Sequence, residues 1–375
     1  MPRFSGAERR LEILLRKARV GVLGIVALAL AACGISVANS ASAGPERSSA
    51  MKWVDEQVSF PAGGVTIYGT FRHPVDSAND IPGVLLIAGS GPTDRNGNSA
   101  LSPGSIGTLK TIADWLSEDG VASLRYDKLG SGQTGFGPYS SDKSGIGIRP
   151  FEAESLAALR YLTEQPKIDK GRIGVIGHSE GALFALLLAS GVDGSTPAIR
   201  ALGLVEPLSI RYLDLVKVQG GQQIESEAKA NYFTAQQAAS AMEALSSAVT
   251  QLRTTGKLPS NLPYGLEGLF SQPSTRFLYQ ADKYDPASLA KKLPSGMPVL
   301  VSCSTSDKQV SCGEVDHLVT GLVSGGAKLD FVHLVGVDHV LKIDPSGSAA
   351  DFSEPLPFSS QFKSALARFV RSSLS

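Results

Sequence analysis

The 375 residues leave room for one large domain or two small ones, and 42% hydrophobic against 19% charged describes a globular chain with a substantial core. Its 35 basic residues balance 35 acidic ones, with no long basic run outside the N-terminus, so a nucleic-acid partner has no electrostatic support.

Arg3, Arg9, Arg10, Arg16, Lys17 and Arg19 precede an apolar stretch from Val20 to Ala32. That stretch is too short to span a bilayer comfortably and matches the apolar region of an export signal. It runs into Leu30-Ala31-Ala32-Cys33-Gly34, which resembles a bacterial lipobox. Residues 1–33 are then a signal peptide, and Cys33 becomes a lipidated N-terminus that anchors the protein to a membrane, facing the periplasm or cell exterior. Cleavage after Ala41-Ser42-Ala43 is the competing reading, and Arg9-Arg10 hints only weakly at twin-arginine export. Residues 34–54, rich in Ser, Ala, Gly and Pro at their start, form a flexible tether.

Gln57–Phe60 and Val65–Arg72 read as a hairpin turning at Ala62-Gly63-Gly64. Gly83–Ala88 is an apolar run without alternation, the pattern of a strand buried on both faces of a parallel sheet. A helix over Ile106–Leu116, a strand over Val121–Tyr126 and an amphipathic helix over Phe151–Glu164 follow. Then come strands at Ile173–Gly177 and Leu202–Val205. This alternation predicts an α/β protein with a mostly parallel sheet wrapped by helices. The rhythm breaks at Pro207. Residues 208–292 show no buried-strand pattern and read as a helical cap, dividing a core of 55–207 and 293–375. A strand at Pro298–Ser302, a helix over 313–323, a strand at Leu329–Leu334 and a closing helix over Phe358–Val370 complete the chain.

The sharpest local signal is Ile173-Gly174-Val175-Ile176-Gly177-His178-Ser179-Glu180-Gly181. A β-branched run climbs to a serine between two glycines, and a small-residue helix over Ala182–Ser190 follows at once. That is the G-x-S-x-G elbow in its strand-turn-helix setting. A serine hydroxyl needs a base, and the base needs an orienting carboxylate. In such a sheet both come from loops at the C-terminal strand ends. Those ends offer Asp307 and His339, in the order Ser179, Asp307, His339. His73, His178, His317 and His333 read as structural, His178 pointing away from the nucleophile. Asp338, adjacent to the histidine, points elsewhere, and Glu314 and Asp316 fall on a helix surface. An oxyanion needs two N–H donors, expected from Glu180 and from Ser90 in the Gly-rich loop Gly89–Asn98. That loop lacks the G-K-[ST] ending of a phosphate loop. Cys303 and Cys312 lie nine apart (312 − 303) in an exported chain, which suggests one disulfide, with two buried free thiols as the alternative. No histidine–carboxylate cluster has ligand spacing, so no metal or organic cofactor is implied.

Five ordered motifs give the chain a resemblance to bacterial serine esterases of the α/β-hydrolase superfamily, in the branch grouped with serine-aminopeptidase-like hydrolases. They are Gly89-Ser90-Gly91-Pro92-Thr93-Asp94-Arg95-Asn96, Arg125-Tyr126-Asp127-Lys128-Leu129-Gly130, Gly177–Gly181, Ser306-Asp307-Lys308-Gln309-Val310 and Asp338-His339-Val340-Leu341-Lys342. Tyr284-Asp285-Pro286-Ala287 at the cap's exit adds to them. The resemblance spans roughly residues 55–372. Ala88 departs from it, standing where the family has a histidine, which should loosen the oxyanion loop. The resemblance implies an α/β-hydrolase fold with a helical cap and a serine carboxylesterase acting on small-molecule esters. Within enzymes the alternative is peptide or amide hydrolysis, which calls for an acidic cluster over the serine. A non-catalytic binding lipoprotein on the same scaffold is the other. Tyr212, Tyr232, Phe233, Tyr264, Phe270, Phe277 and Tyr279 are candidates for an apolar acyl pocket, or for packing of the cap.

Overall fold

The computed structural model describes residues 51–102, 104–191, 196–271 and 274–375; the signal peptide, Cys33 and residues 34–50 lie outside them. Strands β1 (Trp53–Ala62) and β2 (Val65–Pro74) pair antiparallel, with Ala62 opposite Val65. The two-residue turn between them requires positive φ at both positions, and Gly63 and Gly64 supply 55° and 84°. The strands β3 (Ile81–Ile87), β4 (Ala122–Tyr126), β5 (Ile168–His178), β6 (Ala201–Val205), β7 (Pro298–Ser304) and β8 (Lys328–Leu334) follow. The sheet order is β1-β2-β4-β3-β5-β6-β7-β8, with β2 antiparallel to β4 and every later pair parallel.

The unalternating apolar runs make sense once both faces are covered. Val84 and Leu86 join one core with helices α1 (Thr108–Glu118) and α9 (Ser360–Ser373). Leu85 and Ile87 join the other, against α2 (Arg149–Glu164), α3 (Gly181–Ala189) and α8 (Cys312–Ser324). The period of two along each strand thus sorts its apolar residues between two layers. One boundary differs from expectation: β5 starts at Ile168, not Ile173. Its polar segment Asp169–Arg172 is largely exposed and reaches β3 through a register shift, so no apolar pattern marks it.

Between β6 and β7 the chain forms α4 (Tyr212–Lys229), α5 (Ala235–Thr255), α6 (Thr275–Ala281) and α7 (Pro286–Ala290). Thr234 and Gln237 close a reciprocal cap on α5, and Gly256 ends it at φ 73°. Asp282, 1% exposed, ties these helices together. It accepts from Arg211 at 2.9 Å, from Arg253 at 2.8 Å and from the Leu213 N–H at 2.9 Å. Such a buried carboxylate holds only while its cations stay, so it fixes how the inserted helices leave the sheet. Among the described residues no helix is long and apolar enough to cross a membrane.

Candidate active site

β5 delivers Ser179 into the left-handed region at φ 54°, a conformation strained for any residue with a Cβ. The turn closes because its flanks are glycines. A Cβ on Gly177 would lie 2.2 Å from the Gly181 carbonyl oxygen, and one on Gly181 would lie 2.3 Å from that of Ile87. The Ser179 N–H donates to Val205 and its carbonyl accepts from Leu208 at 3.0 Å, so β6 grips the elbow.

His339, on the loop after β8, meets Asp307, on the loop after β7: Nδ1 and Oδ2 are 2.7 Å apart. The other Asp307 oxygen accepts from the Gln309 and Val310 N–H groups at 2.7 and 3.0 Å. Burial pushes the Asp307 carboxyl up, but His339 and the Val310 N–H outweigh it and hold it below the usual carboxylate range. A disulfide joins Cys303 to Cys312 at a Cα separation of 5.2 Å and closes the base of this acid loop. His333 comes within 4.8 Å of both sulfurs, but sulfurs joined to each other offer a metal no thiolate.

Three neighbours escaped the sequence reading. His178 does not point away: it borders the same cavity, and its Nε2 bonds the His339 carbonyl at 2.8 Å. Burial first, then the His339 charge, push it down to about 3, so it is a neutral donor that fixes the His339 backbone. Glu206, wholly buried at φ 43°, receives Ser302 Oγ at 3.0 Å, and its carboxyl meets that of Asp307. Burial and the Asp307 charge push it far up. Its second oxygen finds no donor and needs none if it carries a proton towards Asp307. Lys128, 5% exposed, donates to Glu180 Oε1 at 2.9 Å and to the Gly89 carbonyl, while Tyr212 Oη donates to Glu180 Oε2 at 2.5 Å. Only lysine and glutamate in familiar motifs hinted at that cluster.

The remaining histidines stand elsewhere. His73 pairs with Glu56, and His317 pairs with Asp285 on the surface. Asp338 folds its own loop, accepting from Val340 and Lys342 N–H groups at 3.0 and 2.7 Å. Glu314 caps α8.

Ser179, His339, Ser90 and Glu180 all border one cavity of about 310 Å³. Neither the Ser90 nor the Glu180 N–H has a hydrogen-bond partner among the described residues, and Glu180 precedes the N-terminus of α3. The apolar walls are Leu101, Ile106, Leu208, Leu215, Val216 and Phe352. Of the seven aromatic candidates only Tyr212 borders it. Phe270 and Phe277 are buried in packing, and Tyr232 is 73% exposed. The loop after β3, where Ala88 departs from the resemblance, makes its own hydrogen bonds. Asp94 accepts from the Asn96 and Asn98 N–H groups at 2.8 and 2.9 Å, and Arg95 pairs with buried Asp127 at 2.6 Å.

The family model described as BAAT / acyl-CoA thioester hydrolase C terminal matches residues 154–252. No curated protein sequence matches the chain. Among solved structures, an esterase of Pyrococcus furiosus aligns at 18% identity and TM-score 0.52, covering 86% of this chain and 92% of its own. Est1E of Butyrivibrio proteoclasticus, with ferulic acid bound, aligns at 16% and 0.53, covering 84% and 98%. An α/β hydrolase, GrgF, of a Penicillium species aligns at 16% and 0.51, covering 86% and 99%. Likeness at these identities is likeness of fold, and with the sheet order above it makes this an α/β-hydrolase fold with a helical insertion.

Proposed function

We propose that the protein is a serine carboxylesterase working through an acyl-enzyme. The observation that carries this is a serine on a strained elbow facing the same cavity as a histidine whose far nitrogen is held by a buried aspartate. In the first step His339 Nε2 takes the Ser179 proton as Oγ adds to the ester carbonyl. Asp307 keeps the Nδ1–H tautomer and stabilises the imidazolium, and the Ser90 and Glu180 N–H groups receive the oxyanion. The C–O bond to the alcohol then breaks, with His339 returning its proton to the leaving oxygen. Water, deprotonated by His339, repeats the sequence on the acyl-enzyme and releases the acid.

A cavity of about 310 Å³ with largely apolar walls suits a small to medium acyl group. The peptidase alternative calls for acid over the serine. Among the described residues the one carboxylate bordering the cavity, Glu180, is already matched by Lys128 and Tyr212, which disfavours recognition of a free amine. The test is a panel of acyl esters and aminoacyl amides offered to the wild type and to Ser179→Ala. Ester turnover that vanishes in the variant supports the reading; turnover of amides alone, or turnover surviving Ser179→Ala, overturns it.

We further propose that Cys33 is lipidated and anchors the enzyme outside the cytoplasm, supported by the apolar run into Leu30–Gly34. One acyl chain binds membranes only marginally, so firm anchoring needs a second. Cys33→Ser should abolish lipid labelling and release the protein. An unmodified mature N-terminus at Gly44 would overturn this assignment.

A further inference from the structure

Two groups supply the oxyanion donors on the reading above, and both are touched by one ammonium. We propose that Lys128 is the positioning residue of the oxyanion hole, aiming the Ser90 N–H into the cavity by holding the other end of the same peptide unit. This rests on Ser179 being the nucleophile.

The peptide between Gly89 and Ser90 is planar and trans, so its carbonyl and its N–H point in opposite directions. Lys128 holds the Gly89 carbonyl. Ser90 borders the Ser179 cavity and Lys128 does not. Lys128 instead borders a second cavity of about 240 Å³, walled by Phe136 and Phe151. The ammonium therefore pulls from one side of the loop while the N–H faces the other. Gly89 lets the loop lie close against the elbow, since a Cβ there would sit 3.2 Å from that of Ser179. The positive charge also polarises the peptide, making its N–H a stronger donor just where negative charge develops.

The second donor is tied to the same atom. Glu180 Oε1 receives Lys128 at 2.9 Å, and its backbone N–H is the second donor. The carboxylate compensates the buried Lys128 charge while Lys128 fixes Glu180. Tyr212, the first residue of α4, closes the arrangement by donating to the remaining oxygen. The inserted helices thus reach the oxyanion hole through one phenol and one carboxylate. Lys128 itself does not border the Ser179 cavity. These side chains act on where two N–H groups point, which matters for the tetrahedral oxyanion and little for the planar ester.

The test is Lys128→Met on the whole protein. Because that change leaves Glu180 buried without its cation, Lys128→Met with Glu180→Gln is made beside it, removing both charges while keeping the Glu180 backbone N–H. In whichever variant retains the wild-type circular dichroism, kcat should fall about 10²-fold with KM within twofold. A trifluoromethyl ketone matched to the best acyl group, which adds to the serine and forms a tetrahedral oxyanion, should lose affinity by the same factor as kcat/KM. A folded variant with kcat within threefold of wild type overturns the proposal, as does a loss confined to KM. Full activity of the lysine variants beside a dead Ser179→Ala overturns this proposal alone. Ester hydrolysis surviving Ser179→Ala overturns the functional reading and this one with it.

Discussion

On one side of Ser179 lies a row of side chains: Ser302 donates to Glu206, the Glu206 carboxyl meets that of Asp307, and Asp307 accepts from His339. On the other side Lys128, Glu180 and Tyr212 form an equally buried cluster that ends on the backbone, at Gly89 and the start of α3. On the proposed mechanism the first region moves a proton, so its end-point must be a titrating side chain. The second would receive charge without taking a proton, so a main-chain N–H suffices there, and on our proposal the side chains aim it. Redundancy is therefore open to one side alone: one imidazole cannot be replaced, whereas two donors can partly cover for each other.

The comparison can be broken most severely on the side-chain half. His339→Ala and Ser179→Ala should each cut kcat by roughly 10⁴ or more, with little further loss in the double variant, because the groups act as a unit. Steady-state ester hydrolysis reads this, and strictly multiplicative losses would argue against a shared step. Asp307→Asn should cost about 10³-fold by favouring the wrong tautomer of His339. Glu206→Gln sharpens the contrast, since an amide keeps a donor where the protonated carboxyl has one. Its kcat should stay within about threefold of wild type at neutral pH, and a loss matching Asp307→Asn would mean that Glu206 acts ionised.

Smaller effects concern stability. Cys303→Ser with Cys312→Ser reopens a short loop and should lower stability by about 2.5–3 kcal/mol in the chain-entropy model, measured by denaturant unfolding. Activity should fall before global unfolding, because the loop presents Asp307. Glu154 receives the Leu129 N–H at 2.8 Å and is raised by burial to about 8 from 4.5. A folded pKa above the unfolded one means its contribution is full below about pH 4.5 and is lost as pH rises towards about 8. Glu154→Gln should flatten that slope in pH-dependent melting curves, and an unchanged slope would place the proton elsewhere.

The sheet was legible because strands buried on both faces must be apolar throughout, as Val84–Ile87 and Val299–Val301 are. The elbow was legible because only glycine tolerates its contacts at 177 and 181. Polar partners were not. Lys128 meets Glu180 across 52 residues and Glu206 meets Ser302 across 96, and no local period records such pairings. His178 was misread for a related reason: strand alternation gives the side of the sheet, not the path of a loop that returns 161 residues later. The aromatic cap residues failed by being good core. Phe270 and Phe277 are buried in packing, Phe277 against Phe151 of α2, and of the seven only Tyr212 reaches the cavity.

Helix α3 carries a further consequence. Its residues Gly181–Leu188 are all buried, so it has no face to turn to water. Its shelter is assembled from α2 and β5, which precede it, and from β6 and α7, which follow. The last of these begins at Pro286, nearly a hundred residues downstream (286 − 189 = 97). Until that stretch has been made, Ala182–Ala189 is a sticky ribbon that any neighbouring chain can capture. Recovery from denaturant should therefore fall as protein concentration rises, and a holdase chaperone should rescue it.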